Sequence, residues 1–258
     1  LPPAPPVIAV ATCTLDESAG LDDWLTQPIE SARPLSMERC NQSFGYIFYR
    51  TILGRSGAGV LEIDELHDYA TVLLDRKIIG YLDRRLGQSS LQIEAPQAHG
   101  TLEILVENCG RINYGPLMND ERKGITRSVR WNDEELLGWQ NFPLPFDSLP
   151  ALRFSRRKRT APAFHRGFVK LRSTGDTFLN TGSLGKGVMF VNGHNAGRYW
   201  RLGPQRSLYI PGTWLREGIN EIVTFDIATL DAPTISGTND PERPTTTGVY
   251  CPGPAADN

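Results

Sequence analysis

Thr71-Val72-Leu73-Leu74-Asp75-Arg76-Lys77-Ile78-Ile79-Gly80-Tyr81 is an apolar run, a polar turn and a second apolar run that reaches a glycine. Val188-Met189-Phe190-Val191-Asn192-Gly193-His194-Asn195-Ala196-Gly197-Arg198 follows the same plan, with Asp75 and Asn192, like Gly80 and Gly197, 117 positions apart. Strand, tight turn and strand make a β-hairpin. Asp75, Asn192 and Gly193 are residue types that accept the positive φ such turns use. Downstream, residues 100–108 parallel residues 218–226 at a separation of 118. Two copies of one β module are implied. The apolar run of residues 188–191 suits a strand covered on both faces, which two packed sheets provide.

Working outward, the first copy is expected to place strands at 46–53, 69–74, 78–83, 91–94 and 102–108, and the second at 167–172, 177–179, 187–191, 198–201, 207–210 and 220–227. In 102–108, Leu102, Ile104 and Val106 share one face and Glu103 and Glu107 the other, the pattern of a half-buried strand. Helical turns are expected only near 21–25, where Asp16, Glu17, Asp22 and Asp23 favour a helix N-terminus, and at 134–137. The fold class is therefore all-β, with two antiparallel sandwiches at 41–130 and 163–230. Residues 1–40 are expected to form a linker with a short helix. Residues 131–162 are a second linker, whose Phe142-Pro143-Leu144-Pro145-Phe146 is too proline-rich for a sheet ladder. Residues 231–258 are a Pro/Thr/Gly-rich surface tail. The opening LPPAPP, with neither Met nor signal peptide, reads as a stiff spacer from an upstream domain.

A net charge of -2 over 258 residues gives no electrostatic reason to bind nucleic acid or an anionic membrane. No run approaches the roughly 18 apolar residues of a membrane span. Cys13, Cys40, Cys109 and Cys251 match no zinc or CxxC spacing, and no disulfide framework is expected, though one or two bridges stay open. His67, His99, His165 and His194 show no ligand spacing, so neither a metal nor another cofactor is expected.

Three further segments, Ser43-Phe44-Gly45-Tyr46-Ile47-Phe48-Tyr49-Arg50-Thr51, Leu105-Val106-Glu107-Asn108-Cys109-Gly110-Arg111-Ile112-Asn113-Tyr114-Gly115 and Val191-Asn192-Gly193-His194-Asn195-Ala196-Gly197-Arg198-Tyr199-Trp200 with Gly203-Pro204-Gln205, occur in this order. Together they resemble the C-terminal β-domains of glycoside hydrolase family 35, the lysosomal-type acid β-galactosidases. The resemblance implies jelly-roll, galactose-binding-domain-like modules behind a (β/α)8 barrel that carries two catalytic glutamates. Retaining hydrolysis needs two carboxyl groups about 5 to 5.5 Å apart, and a barrel needs about 250 residues of its own. Nothing here matches the family's glutamate motifs, so no glycosidase activity is expected from the chain alone. The resemblance further implies that Tyr114 faces the barrel's galactose pocket, that Arg111 holds its loop, and that the compartment is lysosomal or extracellular; Cys109 departs from the family, whose members often carry an apolar residue such as Met there, and is expected to be a buried free thiol acting as a small hydrophobe.

Sugar recognition on a sandwich needs an exposed ring and polar groups, and His194, Asn195, Arg198, Tyr199 and Trp200 supply such a set. Packing is the competing reading for Tyr199 and Trp200, as for Trp131, Trp139 and Trp214. The basic run Arg153-Phe154-Ser155-Arg156-Arg157-Lys158-Arg159 reads as a solvated linker, with dibasic processing as the alternative. Asn41-Gln42-Ser43 is a glycosylation sequon. The expected partner is a β-galactosidase barrel; a stand-alone galactose-binding lectin and a structural subunit of a larger assembly are the alternatives.

Overall fold

A computed structural model describes residues 5–241; the opening Leu1 to Ala4, the last part of the tail and Cys251 lie outside them. The chain divides into two compact units, a continuous one (Trp24–Pro150) and a discontinuous one (Leu1–Asp23 with Ala151–Asn258). In chain order, β1 (Val10–Thr14) and β2 (Glu17–Gly20) come first. The continuous unit then supplies β3 (Ile29–Ser31), β4 (Tyr46–Ile52), β5 (Gly57–Ile63), β6 (Leu66–His67), β7 (Tyr69–Leu74), β8 (Lys77–Asp83), β9 (Ser90–Ala95), β10 (Thr101–Glu107), β11 (Gly124–Ile125), β12 (Val129–Trp131), β13 (Glu134–Glu135) and β14 (Trp139–Leu144). The chain returns through β15 (Ala163–Leu171), β16 (Thr177–Asn180), β17 (Lys186–Val191), β18 (His194–Trp200), β19 (Ser207–Ile210), β20 (Gly218–Asp226) and β21 (Thr234–Thr238).

The all-β, two-sandwich reading holds. The continuous unit has a six-stranded sheet, β3-β14-β4-β10-β7-β8, a four-stranded sheet, β13-β12-β5-β9, and the short β11-β6 pair. The discontinuous unit has β18-β17-β20-β15-β2 and β1-β21-β16-β19. Every named ladder is antiparallel.

The duplication is visible in the topology. The orders β4-β10-β7-β8 and β15-β20-β17-β18 are the same arrangement, and the hairpins β7-β8 and β17-β18 bulge at equivalent steps, Val72/Leu73 and Met189/Phe190. The turns reach positive φ at Asp75 (47°) and Arg76 (69°) in one copy and at Asn192 (49°) and Gly193 (83°) in the other, the geometry whose twist matches that of the flanking strands.

Five expectations need correcting. Residues 1–40 are not simply a linker: β1 and β2 are sheet members, and Ile8 N donates to Asp176 O while Asp176 N donates to Pro6 O. The helix near 21–25 is one 3-10 turn, Leu21–Asp23, and residues 134–137 hold strand β13, because Asn132 and Asp133 take positive φ and turn the chain back on β12. The proline-rich stretch does form a ladder: Pro143 lies opposite Ile47 of β4, and since β3 reaches only to Asn141, the missing N–H falls on an open edge. Part of the tail is strand β21, paired to both β1 and β16. Finally, β10 is covered on both faces; Glu103 is buried because Arg50 Nη2 reaches its Oε1 at 2.8 Å.

Each unit has its own core. Leu61, Val72, Leu102, Ile104, Trp131 and Trp139 lie in one, and Leu15, Met189, Val191, Tyr199, Leu208 and Ile222 in the other. Each such side chain contributes about 1.5–3 kcal/mol by leaving water. Strand spacing in the discontinuous unit depends on Gly187, where an added Cβ would collide with the Phe225 carbonyl and meet the Tyr199 hydroxyl at 2.8 Å. Gly187→Ala is therefore expected to cost about 3 kcal/mol, as severe overpacking does. Gly193→Ala, with open space around it, is expected to cost only about 1 kcal/mol for its positive φ. Urea denaturation of the two variants side by side checks the ranking, and equal losses would contradict it.

Candidate functional site

Between β10 and β11 the chain leaves the sheet for an irregular segment, residues 108–123, that carries Arg111 and Tyr114. Its two ends meet at one carboxylate. Gly124 of β11 pairs with His67 of β6, so the next step of that antiparallel register puts Lys123 opposite Asp68. Lys123 is 1% exposed and its Nζ lies 2.9 Å from Asp68 Oδ2 and 2.8 Å from Glu121 Oε1. Cys109 N, at the start of the segment, donates to the same Asp68 Oδ2 at 2.9 Å, and Arg84 Nη1 lies 3.1 Å from Oδ1. Taking charges from water costs several kcal/mol each, so such a group is tolerable only with this many partners.

Outer contacts complete the frame. Arg111 Nε donates to Ser43 O at 3.0 Å and its Nη2 lies 2.7 Å from Glu38 Oε1. Burial pushes the Glu38 carboxyl up, but hydrogen bonds from its own backbone N–H, Arg111, Lys123 N and Ser36 outweigh this and leave its pKa lowered. Glu121 behaves alike: desolvation opposes, while Lys123 and Ile112 N bring it below the usual range. Between these tethers Tyr114 is 90% exposed, with Ile112, Leu117 and Met118 also exposed around it. Beside the segment is a hollow of about 490 Å³ lined in part by Cys109, Arg84, Arg85, Arg111 and Lys123. Cys109 is half-buried rather than buried; among the described residues Cys13, Cys40 and Cys109 form no disulfide.

The second expected set divides. His194, Asn195, Arg198 and Trp200 lie on β18, but Tyr199 is 4% exposed, with its hydroxyl 2.8 Å from Phe225 O and 3.0 Å from Asp226 Oδ2. No face of the Tyr199 ring is open for stacking, because alternation along β18 turns it into the core. The His194 ring stacks on Trp214 at 4.9 Å, and Lys186 Nζ lies 4.0 Å from the Trp200 ring centre. Asn41 is exposed, with positive φ, just after the 3-10 turn Glu38–Cys40. The basic run is pinned rather than free: Ser155 bridges to Ser18, Ser18 Oγ donates to Arg157 O, and Lys158 Nζ lies 2.6 Å from Asp231.

Two family models match the chain: the first all-β domain of β-galactosidase over residues 34–145 and the β-galactosidase galactose-binding domain over 162–220. This chain belongs to the C-terminal β-domain region of the β-galactosidases. Among its relatives are a β-galactosidase of Xanthomonas manihotis, 41% identical over 81% of the chain, and β-galactosidase-1-like protein 2 of Homo sapiens, 37% identical over 84%. β-Galactosidase 1 of Dictyostelium discoideum is 36% identical over 85%. The chain spans 36% of the length of each of these three relatives. Asp68, Lys123, Glu38 and Glu121 carry no local signal in the sequence: the β6-β11 register brings Lys123 to Asp68, and Glu38 joins them only through its contacts with Lys123 N and Arg111.

Lys123→Met removes the cation and leaves Asp68 and Glu121 buried without it. A loss of about 3–5 kcal/mol is expected, together with faster amide exchange across 108–123; an unchanged exchange pattern would refute the anchoring. A pH effect is expected in the discontinuous unit. Burial raises Asp226 to about 6, against hydrogen bonds from Ala228 N, Gly185 N, Lys186 N and Tyr199, while burial lowers His165 to about 4. Asp226 thus adds stability at low pH that is lost as pH rises through about 6, and His165 adds stability at neutral pH that is lost as pH falls toward about 4. Relative to the parent, Asp226→Asn should be more acid-sensitive between pH 7 and 5 and His165→Gln less so, read from urea midpoints; parent-like profiles in both would contradict this.

Proposed function

We propose that this chain is the non-catalytic C-terminal region of a β-galactosidase. In this reading it packs on a catalytic barrel domain and completes one wall of that domain's pocket with Tyr114. Terminal β-galactosides are the substrate of the assembled protein, and its compartment is lysosomal or extracellular, where Asn41 can be glycosylated. The observation that carries the reading is an aromatic side chain exposed at the crest of a segment whose two ends are fixed to one buried carboxylate. A surface so immobilised and so apolar suits a standing partner, and a fixed ring loses little entropy when a ligand or domain meets it. The length of the relatives beyond the matched region supplies room for the barrel.

The test is a chimera in which this chain replaces the matched region of the Xanthomonas manihotis relative. The chimera is expected to hydrolyse a β-galactoside, and Tyr114→Ala to lower kcat/KM about 10- to 100-fold, since each tenfold is 1.36 kcal/mol of transition-state binding. The isolated chain is expected to be inactive. Cleavage by the isolated chain, or full activity of Tyr114→Ala, would overturn the proposal.

A further inference from the structure

Among the described residues β21 is the last strand, and its ladder to β16 ends at Thr238, opposite Phe178. Two residues on, Asp240 is followed by Pro241, an Asp-Pro pair that occurs once in the 258 residues. The bond between them lies in a different unit from Tyr114 and takes no part in the preceding proposal. Thr238 Oγ1 donates to Asp240 O at 2.6 Å, so the carbonyl of that bond carries a hydrogen bond from the strand end. The ladder fixes the backbone of Thr238 and with it the donor. Asn239 and Asp240 are exposed, so water and protons reach the bond.

In most Asp-X sequences the amide nitrogen of X competes for the side-chain carboxyl by closing a succinimide. Proline has no N–H, so that route is shut at Asp240. What remains is attack of a side-chain oxygen on the carbonyl carbon of Asp240 itself, closing a five-membered ring of Oδ, Cγ, Cβ, Cα and C. Negative charge gathers on the carbonyl oxygen as the ring closes, and a donor already aimed there, as Thr238 Oγ1 is, lowers the barrier. The carboxyl proton passes to the Pro241 nitrogen, the C–N bond breaks and a cyclic anhydride is left on Asp240. One water opens the anhydride, giving Asp240 a free α-carboxyl beside its side-chain carboxyl and Pro241 a free secondary amine. Because the departing nitrogen needs the carboxyl proton, the rate rises with acidity. The strands paired to β21, β1 and β16, contain no charged residue. Asp176, next before β16, is taken by Tyr209 Oη at 2.7 Å and Gly212 N at 2.8 Å.

We propose that Asp240–Pro241 is an acid-triggered self-cleavage site, at which the end of β21 releases the chain from Pro241 onward. The cut falls beyond the pairing of β21 with β1 and β16, so the sandwich keeps all its described strands.

Mass spectrometry of the whole chain held at pH 4 and at pH 7 tests this, with a peptide of residues 239–243, which lacks Thr238, incubated alongside. The chain should be cut once, between Asp240 and Pro241, many times faster at pH 4 than at pH 7 and faster than the peptide at the same pH. The cut chain should keep the urea midpoint of the parent. Asp240→Asn, which removes the carboxyl, and Pro241→Ala, which restores the N–H, should each all but abolish the cut. Thr238→Val, which keeps a strand-favouring shape, should slow it about fivefold, the effect of one ordinary hydrogen bond. A chain cut no faster than the peptide, a cut that survives Asp240→Asn, a Thr238→Val rate equal to the parent's, or loss of the fold on cutting would overturn the site.

Discussion

One carboxylate, Asp68, fixes both ends of the exposed 108–123 segment of the continuous unit. It accepts from Cys109 N where the 108–123 segment leaves β10 and faces the Lys123 ammonium where the segment rejoins the sheet at β11. A connection of this length without regular structure has many conformations, and closing its ends on one buried ion pair removes most of them. The arrangement is expensive in desolvation and worthwhile only where position matters more than stability. What gains position here is Tyr114 and the apolar residues around it.

The two units show how one topology supports different surfaces. Both keep a hairpin with a bulge at the same step, flanked by the same two neighbouring strands. In the continuous copy, the neighbouring strand β10 leads into the Asp68-bound segment. In the discontinuous copy, the neighbouring strand β20 ends at Asp226, whose buried carboxylate receives Gly185 N, Lys186 N and Ala228 N, so the chain there is held against the sheet. Similar frameworks thus end in a raised segment in one case and a tightly tied turn in the other.

Much of the fold was legible because the hairpins announce themselves: residues 71–81 and 188–198 carry apolar runs, turn chemistry and a repeat together. The parts that were not legible depended on long-range pairing. β21 contains glycine and no long apolar run, yet it is a strand because β1 and β16 flank it. Pro143 reads as a breaker until its open edge is known. Glu103 and Glu107 look solvent-facing until the far side of β10 is seen to be covered. At the site, Tyr114 and Arg111 stand in one readable motif, whereas Asp68, Glu38 and Lys123 are distant in sequence and polar, with no local signal of burial. Tyr199 went the other way: it stands in a set with Arg198 and Trp200 that suits an exposed surface, and strand alternation turns it inward.

In the proposed reading, Tyr114 is held where a catalytic domain meets this chain. The most direct measurement places a photocrosslinking phenylalanine analogue at position 114 in a protein that joins this chain to a family barrel, and maps the crosslinked peptide. Attachment to barrel peptides bordering the substrate pocket is expected, and is lost when Asp68→Ala frees the segment. Attachment elsewhere on the barrel, or none, would contradict it.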